Sequence, residues 1–375
     1  MSRIGLALDI DGVLLRGSKV LDITPGALKR INEKKIPHIF MTNGGSMTEA
    51  KKAEDLTKKF GVSVSPEQVL LSHTPMKKLA EKYGDKKVFV MGANNYLEVA
   101  AAYGFKKVVT GAELHAKTPT VFPSKPPVAP HMAEPNEHDD EPIAAALILY
   151  EPLDWALKMQ VLTDVLLGHT LGTDRMQQVV PCYACNADIV YQVSAPTNFI
   201  GYYRLSIYLS VVWSFAMRIL SFLLFFCVAL YVACCMQDLH PYPRFTQGAF
   251  VTAFRGLFEH YTNAPLEVEF CGKPFEVQYR TAEEMIHRHA VHLANQEQED
   301  TLPPTSVAAP TKFYGIGDNP KADVRGANNA GTHWGSVLVR TGVFQGGDND
   351  PHDIADHVTD DLASALNIIF EKHTI

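Results

Sequence analysis

The sequence is short of several things that would have fixed its class at once. It has no surplus of basic residues: 34 Lys and Arg stand against 41 Asp and Glu, a net charge of −7. Without a global positive surface little can displace counterions from a nucleic-acid backbone, so nucleic acid is excluded as the expected partner. The lysine pairs at 51–52, 58–59, 77–78 and 86–87 are spaced as solvated helix faces. Cysteine is scarce, six in 375 residues. Cys182 and Cys185 form a lone CxxC with no second pair at zinc-site spacing, and nothing suggests a disulfide framework. The cysteines are expected to be structural and the compartment reducing. His287, His289 and His292 lack the i,i+4 spacing of a helical metal pair and read as solvated helix histidines. No internal repeat is visible. No apolar leader precedes the first strand-like run, so a removable secretory signal is not expected.

What is present is an ordinary globular composition, 46% hydrophobic and 20% charged, in a length suited to about two domains. The average conceals an outlier. Residues 193–237 are 45 long, 33 of them are hydrophobic, and the only charges are Arg204 and Arg218. Half of the cysteines (Cys227, Cys234, Cys235) lie there too. Removing those two arginines from the total of −7 leaves the rest of the chain at −9.

Outside that run, short apolar segments alternate with helical patterns. Strands are predicted at 4–10, 37–41, 87–91, 144–149, 312–316 and 336–340, and helices at 25–35, 48–60, 96–103, 155–167 and around 281–292 and 321–329. Near-continuous apolar strands alternating with helices predict an α/β fold with parallel sheets covered on both faces. Residues 118–142 and 295–311, rich in proline and acid, read as mobile surface loops.

The chemistry-bearing residues stand at strand ends, where open α/β sheets bind ligands. The first strand runs into Asp9-Ile10-Asp11-Gly12. In a regular strand, residues two apart share a face, which would bring Asp9 and Asp11 close enough to need a cation or a proton between them. The second strand runs into Thr42-Asn43-Gly44-Gly45, a hydroxyl with glycine-freed backbone amides suited to phosphate oxygens. Lys273 sits in a Gly-Lys-Pro loop, a point cation that could neutralise phosphate. A later strand ends in Asp318, with Asp323 five residues on, and carboxylate oxygens are the ligands magnesium prefers.

Strand-DxD, strand-Thr, loop-Lys and strand-Asp-x4-Asp, in that order, resemble the four motifs of the haloacid dehalogenase superfamily. Thr42 follows Asp9 by 33 residues, too few for an inserted domain, whereas Lys273 follows Thr42 by 231. That spacing resembles class IIA members, which carry a type-two cap. The runs at 71–77, 151–156 and 243–250 look like the branch that includes the cat eye syndrome critical region protein. The resemblance implies a Rossmann-like parallel-sheet core at 1–64 and 244–375 with an α/β cap at 65–243. It implies Asp9 as nucleophile forming an aspartyl-phosphate, Asp11 as general acid and base, and Thr42, Asn43 and Lys273 on the phosphate. It implies Mg2+ on Asp9, the Asp11 carbonyl and Asp318, with Asp323 assisting, and Asn186-Ala187-Asp188 resembles the motif with which such caps close over substrate. The implied activity is magnesium-dependent hydrolysis of a small phosphorylated metabolite, by a protein in the cytoplasm or mitochondrion, with a homodimer the oligomer to test. The rival is a HAD-fold binding or regulatory protein without useful catalysis, membrane-associated and linked to glycerophospholipid metabolism.

Residues 193–237 interrupt the resemblance and admit three readings. Residues 219–237 are 19 long without a charge, about a bilayer's span, and 205–217 are another uncharged run, but Arg218 divides the two, and a central arginine costs roughly 2.5–3.5 kcal/mol on insertion. A single span would also put Asp9 and Thr42 on one side of the membrane and Lys273 and Asp318 on the other. A retained intron is the second reading. Val193-Ser194 can be encoded by a donor-like GTAAGT and Gln237 by an acceptor-like CAG, and excision joins Gln192 to Asp238 in frame. A lipid-contacting extension of the cap is the third.

Overall fold

The computed structural model describes residues 4–191, 244–296 and 309–375, apart from Val128 and Asn136. Residues 193–237, and with them the three readings of the apolar run, lie outside the described residues. Among the described residues, no helix is long and apolar enough to cross a membrane.

Two parallel sheets organise the chain, as the alternation of apolar strands and helices predicts. The larger takes its strands from both ends of the sequence: β1 (Ile4–Leu8), β4 (His38–Met41), β5 (Val69–Leu70), β13 (Lys312–Gly317), β14 (Trp334–Val339) and β15 (His357–Thr359). Their order is β15-β14-β13-β1-β4-β5, every neighbouring pair parallel. Every residue of β1, β4 and β14 is buried, which explains their lack of polar alternation. The short hairpin of β2 (Leu15–Arg16) and β3 (Lys19–Val20) follows β1.

The smaller sheet is built from β6 (Lys87–Met91), β7 (Lys107–Val109), β8 (Ala145–Ile148), β9 (Cys182–Ala184) and β12 (Val268–Phe270), in the order β12-β9-β8-β6-β7, again all parallel. One face packs on Val161, Leu162 and Val165 of helix Trp155–Leu167 and on Phe250, Phe254 and Phe258 of helix Gln247–Thr262. The other packs on Met76, Tyr83, Val99 and Tyr103.

The sheets divide the chain at other points than the motifs suggested. β5 at 69–70 still belongs to the larger sheet, beyond the expected border at 64. On the return, helix Gln247–Thr262 and β12 belong with the smaller sheet, beyond the expected border at 244. The reason is physical: the three phenylalanines of that helix recur every four residues, make one apolar stripe, and bury it against the smaller sheet. The 118–142 stretch is mostly exposed but tied down. Lys117 pairs with Asp139, Lys107 Nζ lies 2.7 Å from Glu141, and Lys87 Nζ donates to the Asp139 carbonyl at 3.0 Å.

Helix Glu49–Phe60 shows how local sequence and packing agree. Thr48 caps it by accepting from the Lys51 N–H, Glu49 stands in its first turn, and Gly61 ends it at φ 68°. Ala53, Leu56 and Phe60 form its buried face. Its start matters to function, because it fixes where the loop after β4 must land.

Candidate active site

Strand order puts β13, β1 and β4 side by side, so their C-terminal ends deliver Asp318, Asp9 and Thr42 to one crevice. β1 ends at Leu8, and Asp9 is the first residue past it, buried, its N–H donating to the Ile316 carbonyl at 2.9 Å. Here the sequence expectation is corrected. The strand does not run to residue 10, so Asp9 and Asp11 do not share a strand face: Asp9 is buried and Asp11 exposed. Gly12 makes the turn at φ 91°, and a Cβ there would lie 2.2 Å from an Asp318 carboxylate oxygen. Only glycine fits that crossing of the two loops.

Thr42 follows β4. Its Oγ accepts from the Gly44 N–H at 2.9 Å and donates to an Asp11 carboxylate oxygen at 3.3 Å. Asn43 is buried, and its side chain is engaged three times. Its oxygen accepts from the Lys273 N–H at 2.8 Å, and its nitrogen donates to the Lys273 carbonyl at 3.0 Å and to Asp188 at 2.8 Å. That amide therefore clamps the backbone of Lys273, a different task from the expected contact with phosphate.

Lys273 arrives from the smaller sheet, three residues past β12, before a cis peptide to Pro274. Its ammonium is 2.5 Å from Asp9 and 2.6 Å from Asp323. Asp318 accepts from the Val343 N–H at 2.5 Å, and its own carbonyl accepts from the Phe344 N–H at 3.0 Å. Asp323 lies in a π-turn at Pro320–Val324 and accepts from the Asn319 N–H at 3.0 Å. Its carbonyl accepts from the buried Tyr279 hydroxyl at 3.0 Å.

The electrostatics follow from burial. Asp9, Asp318 and Asp323 each offer an oxygen, all within 4.8 Å of one another, against one buried ammonium. Burial pushes the Asp9 carboxyl well above its ordinary range, and Lys273 only partly opposes that. Burial and the neighbouring Asp323 raise Asp318 to about 7. Lys273 is driven down by burial, but Asp323 and Asp9 outweigh this and hold it firmly protonated. Three crowded carboxylates with one cation make a donor set that fits a small divalent ion of oxygen-ligand preference. The carboxylates drawn together are Asp9, Asp318 and Asp323; the Asp11 side chain stands apart beside Thr42.

The other sequence candidates sort cleanly. Cys182, Cys185 and Cys271 are free and buried, their thiols pushed up to about 12 by burial, so they pack rather than react. His287, His289 and His292 do not converge on a ligand, but His289 is not simply solvated either. Its ring stands 5.0 Å from that of buried His38, and its Nδ1 accepts from the His38 N–H at 3.1 Å. Asp188 reaches the larger sheet's loop through Asn43, so the Asn186–Asp188 run does stand at the crevice. The Val343 N–H on Asp318 was invisible in sequence, because a backbone donor carries no residue-type signal.

Residues 6–106 match the family model described as haloacid dehalogenase-like hydrolase, and residues 270–365 match a second one described as HAD-hydrolase-like. A Schizosaccharomyces pombe protein named cardiolipin synthase (CMP-forming) / mitochondrial hydrolase fusion protein is 31% identical over 97% of this chain. The chain spans about half of that protein, 52% of its length. A mitochondrial hydrolase of Saccharomyces cerevisiae is 28% identical, the match covering 99% of this chain and 96% of that one. Among solved structures, a p-nitrophenyl phosphatase from Archaeoglobus fulgidus superposes with a TM-score of 0.58 at 16% identity, covering 97% of this chain and 98% of the other. At that identity the likeness is one of fold.

Proposed function

Because the chain belongs to the haloacid dehalogenase-like hydrolases, we propose that it is a magnesium-dependent phosphohydrolase that cleaves a small phosphate ester. The observation that carries this reading is the buried Lys273 ammonium held between Asp9 and Asp323, with Asp318 completing the acidic cluster. Asp9, at the strand end, is the nucleophile: a carboxylate oxygen forms a bond to phosphorus as the ester oxygen departs. Asp11, exposed at the mouth and hydrogen-bonded to Thr42, gives that oxygen its proton. It then takes a proton from the water that attacks the aspartyl-phosphate, which restores Asp9 and releases phosphate. Thr42 and Lys273 hold the transferring group, and Asn43 fixes Lys273 through its backbone.

Asp9, Asp318 and Asp323, with the Asp11 carbonyl, would hold magnesium, which when bound supplies positive charge to the phosphoryl oxygens. Phosphoryl transfer is chiefly positioning and charge neutralisation, so a cation, a lysine and a turn-borne acid are sufficient tools. The smaller sheet is the cap, since it delivers Lys273 and Asp188 over the crevice. Both yeast relatives are named as mitochondrial, which supports a mitochondrial location for this chain. One name also joins a hydrolase to a cardiolipin synthase, so phosphate esters of glycerol and of glycerophospholipid precursors head the substrates to try.

The test is a phosphate-release screen of the purified chain with magnesium, against aryl phosphate and a panel of phosphorylated metabolites. Magnesium-dependent turnover of at least one ester is the expected result. A flat response from a folded protein that still binds magnesium would favour the non-catalytic binding protein instead.

A further inference from the structure

The loop that carries Thr42 and Asn43 is gripped by the cap at two places. The first is Asp188, which accepts from Asn43 at 2.8 Å. The second is a hydrogen-bonded chain at the far end of the loop, buried at His73 and Tyr103 and half-buried at Glu49. Tyr103, the last residue of the cap helix Tyr96–Tyr103, donates its hydroxyl to Glu49 at 2.6 Å. Glu49 opens the helix that the loop runs into, and the same oxygen accepts from the Thr74 hydroxyl at 2.8 Å. Since the tyrosine hydroxyl's one proton goes to Glu49, its oxygen accepts from His73 Nδ1, 2.6 Å away. His73 is fully buried, and the backbone of Gly45 and Met47 lies against its ring. The approach is so close that a Cβ on Gly45 would lie 2.7 Å from His73 Cδ2. A surface ion pair between Lys51 and Glu98, at 2.5 Å, joins the same two helices.

We propose that Tyr103, His73 and Glu49 form a latch through which the seating of the cap sets the conformation of the phosphate-binding loop 42–48. They are positioning residues: none reaches the reacting atoms, and each acts through the loop. His73 and Glu49 come from the larger-sheet domain and hold the loop directly, while Tyr103 comes from the cap and ties them together. Without the tyrosine hydroxyl, Glu49 and His73 lose their shared partner; Glu49 keeps Thr74, and the cap holds the loop through Asn43 and the exposed Lys51–Glu98 pair alone. Unpaired buried polar groups are costly, so the loop gives way before the sheets do.

The proposal rests on the phosphohydrolase reading for its kinetic arm only. The variant is Tyr103→Phe in the full chain, which keeps the ring and removes the hydroxyl. Amide hydrogen exchange at residues 43–48 is expected to speed up about ten-fold or more while β1 and β13 are unchanged. The KM for aryl phosphate and the inhibition constant of inorganic phosphate rise about ten-fold, with a much smaller change in kcat. Glu49→Gln, which retains an acceptor oxygen, stays near wild type. Should Tyr103→Phe fail to fold, Glu49→Ala removes the acceptor from a half-exposed position and carries the same expectation. Unchanged exchange at 43–48, or a uniform rise across both sheets, would overturn the latch. The exchange arm needs no turnover, so a wild type without phosphatase activity sinks the functional reading and still leaves the latch measured.

Discussion

At the residue scale, one buried ammonium answers three buried carboxylates, and that imbalance is what suits the cluster to the divalent ion proposed above. Removing Lys273 would leave Asp9 and Asp323 uncompensated, which is why its backbone is clamped by Asn43 as well. Asp9, Thr42 and Asp318 were legible in the sequence as polar side chains where apolar strands end, and Lys273, a loop residue, only through the order of the four motifs and the family resemblance it carries. The task of the Asn43 amide was not, since nothing in Thr-Asn-Gly-Gly tells whether the amide faces a ligand or a neighbouring loop. Another buried residue makes a prediction away from the crevice. His38 donates from Nδ1 to the Ile36 carbonyl at 2.9 Å, and its Nε2 accepts from Gln68 at 3.3 Å, an arrangement that suits the neutral ring. Burial, with His289 beside it, lowers its pKa from 6.5 to about 4. The unfolded chain therefore binds a proton that the folded one refuses, and stability present above pH 6.5 is lost as the pH falls towards 4. Two and a half pH units correspond to about 3 kcal/mol. Urea midpoints between pH 7 and pH 4.5 should fall in the wild type and fall less in His38→Gln.

At the element scale, strands with unbroken apolar runs could be read to within a residue or two. The 87–91 run is a strand throughout, and 96–103 and 155–167 are helices throughout. The short strands β5, β7, β9, β12 and β15 went unread, because two or three residues carry no periodicity and owe their form to the strand alongside. Helix Gln247–Thr262 had a signal that motif logic passed over. Thr246 caps it, Asn263 ends it at φ 54°, and Phe250, Phe254 and Phe258 follow one another at ring spacings of 6.1 and 5.8 Å. This stripe assigns the helix to the cap and moves the domain border. Phe254 is buried, so Phe254→Ala should cost about 3–5 kcal/mol in equilibrium unfolding. A loss below about 1 kcal/mol would mean that the stripe does not hold the cap together as described.

At the scale of the whole molecule, the two halves of the crevice come from distant parts of the chain. Asp9 and Thr42 lie before the apolar run and Lys273 and Asp318 after it, so both flanks must reach the same side. The described residues show how the flanks meet. β10 (Val190–Tyr191) and β11 (Arg244–Phe245) pair antiparallel, Tyr191 opposite Arg244. Tyr191 and Arg244, the two flanks, therefore stand side by side, which removes the split-site objection from any insertion between them that returns on itself. The same pairing predicts that the run is dispensable to the rest. Deleting residues 193–237 leaves a short hairpin loop on an existing stem, with no strand of either sheet touched. The deleted protein should unfold within a few degrees of the full chain and keep its magnesium-dependent turnover; a collapse of the transition would show that the run is part of the cap's core.

The central claim is that Asp9 is the group that takes the phosphoryl. It is tested most directly by measuring magnesium-dependent phosphate release from an aryl phosphate by the wild type and by Asp9→Asn side by side, with matching circular dichroism. The account predicts a fall of at least about a thousand-fold in a protein that is still folded. Turnover at the wild-type level in Asp9→Asn would contradict it.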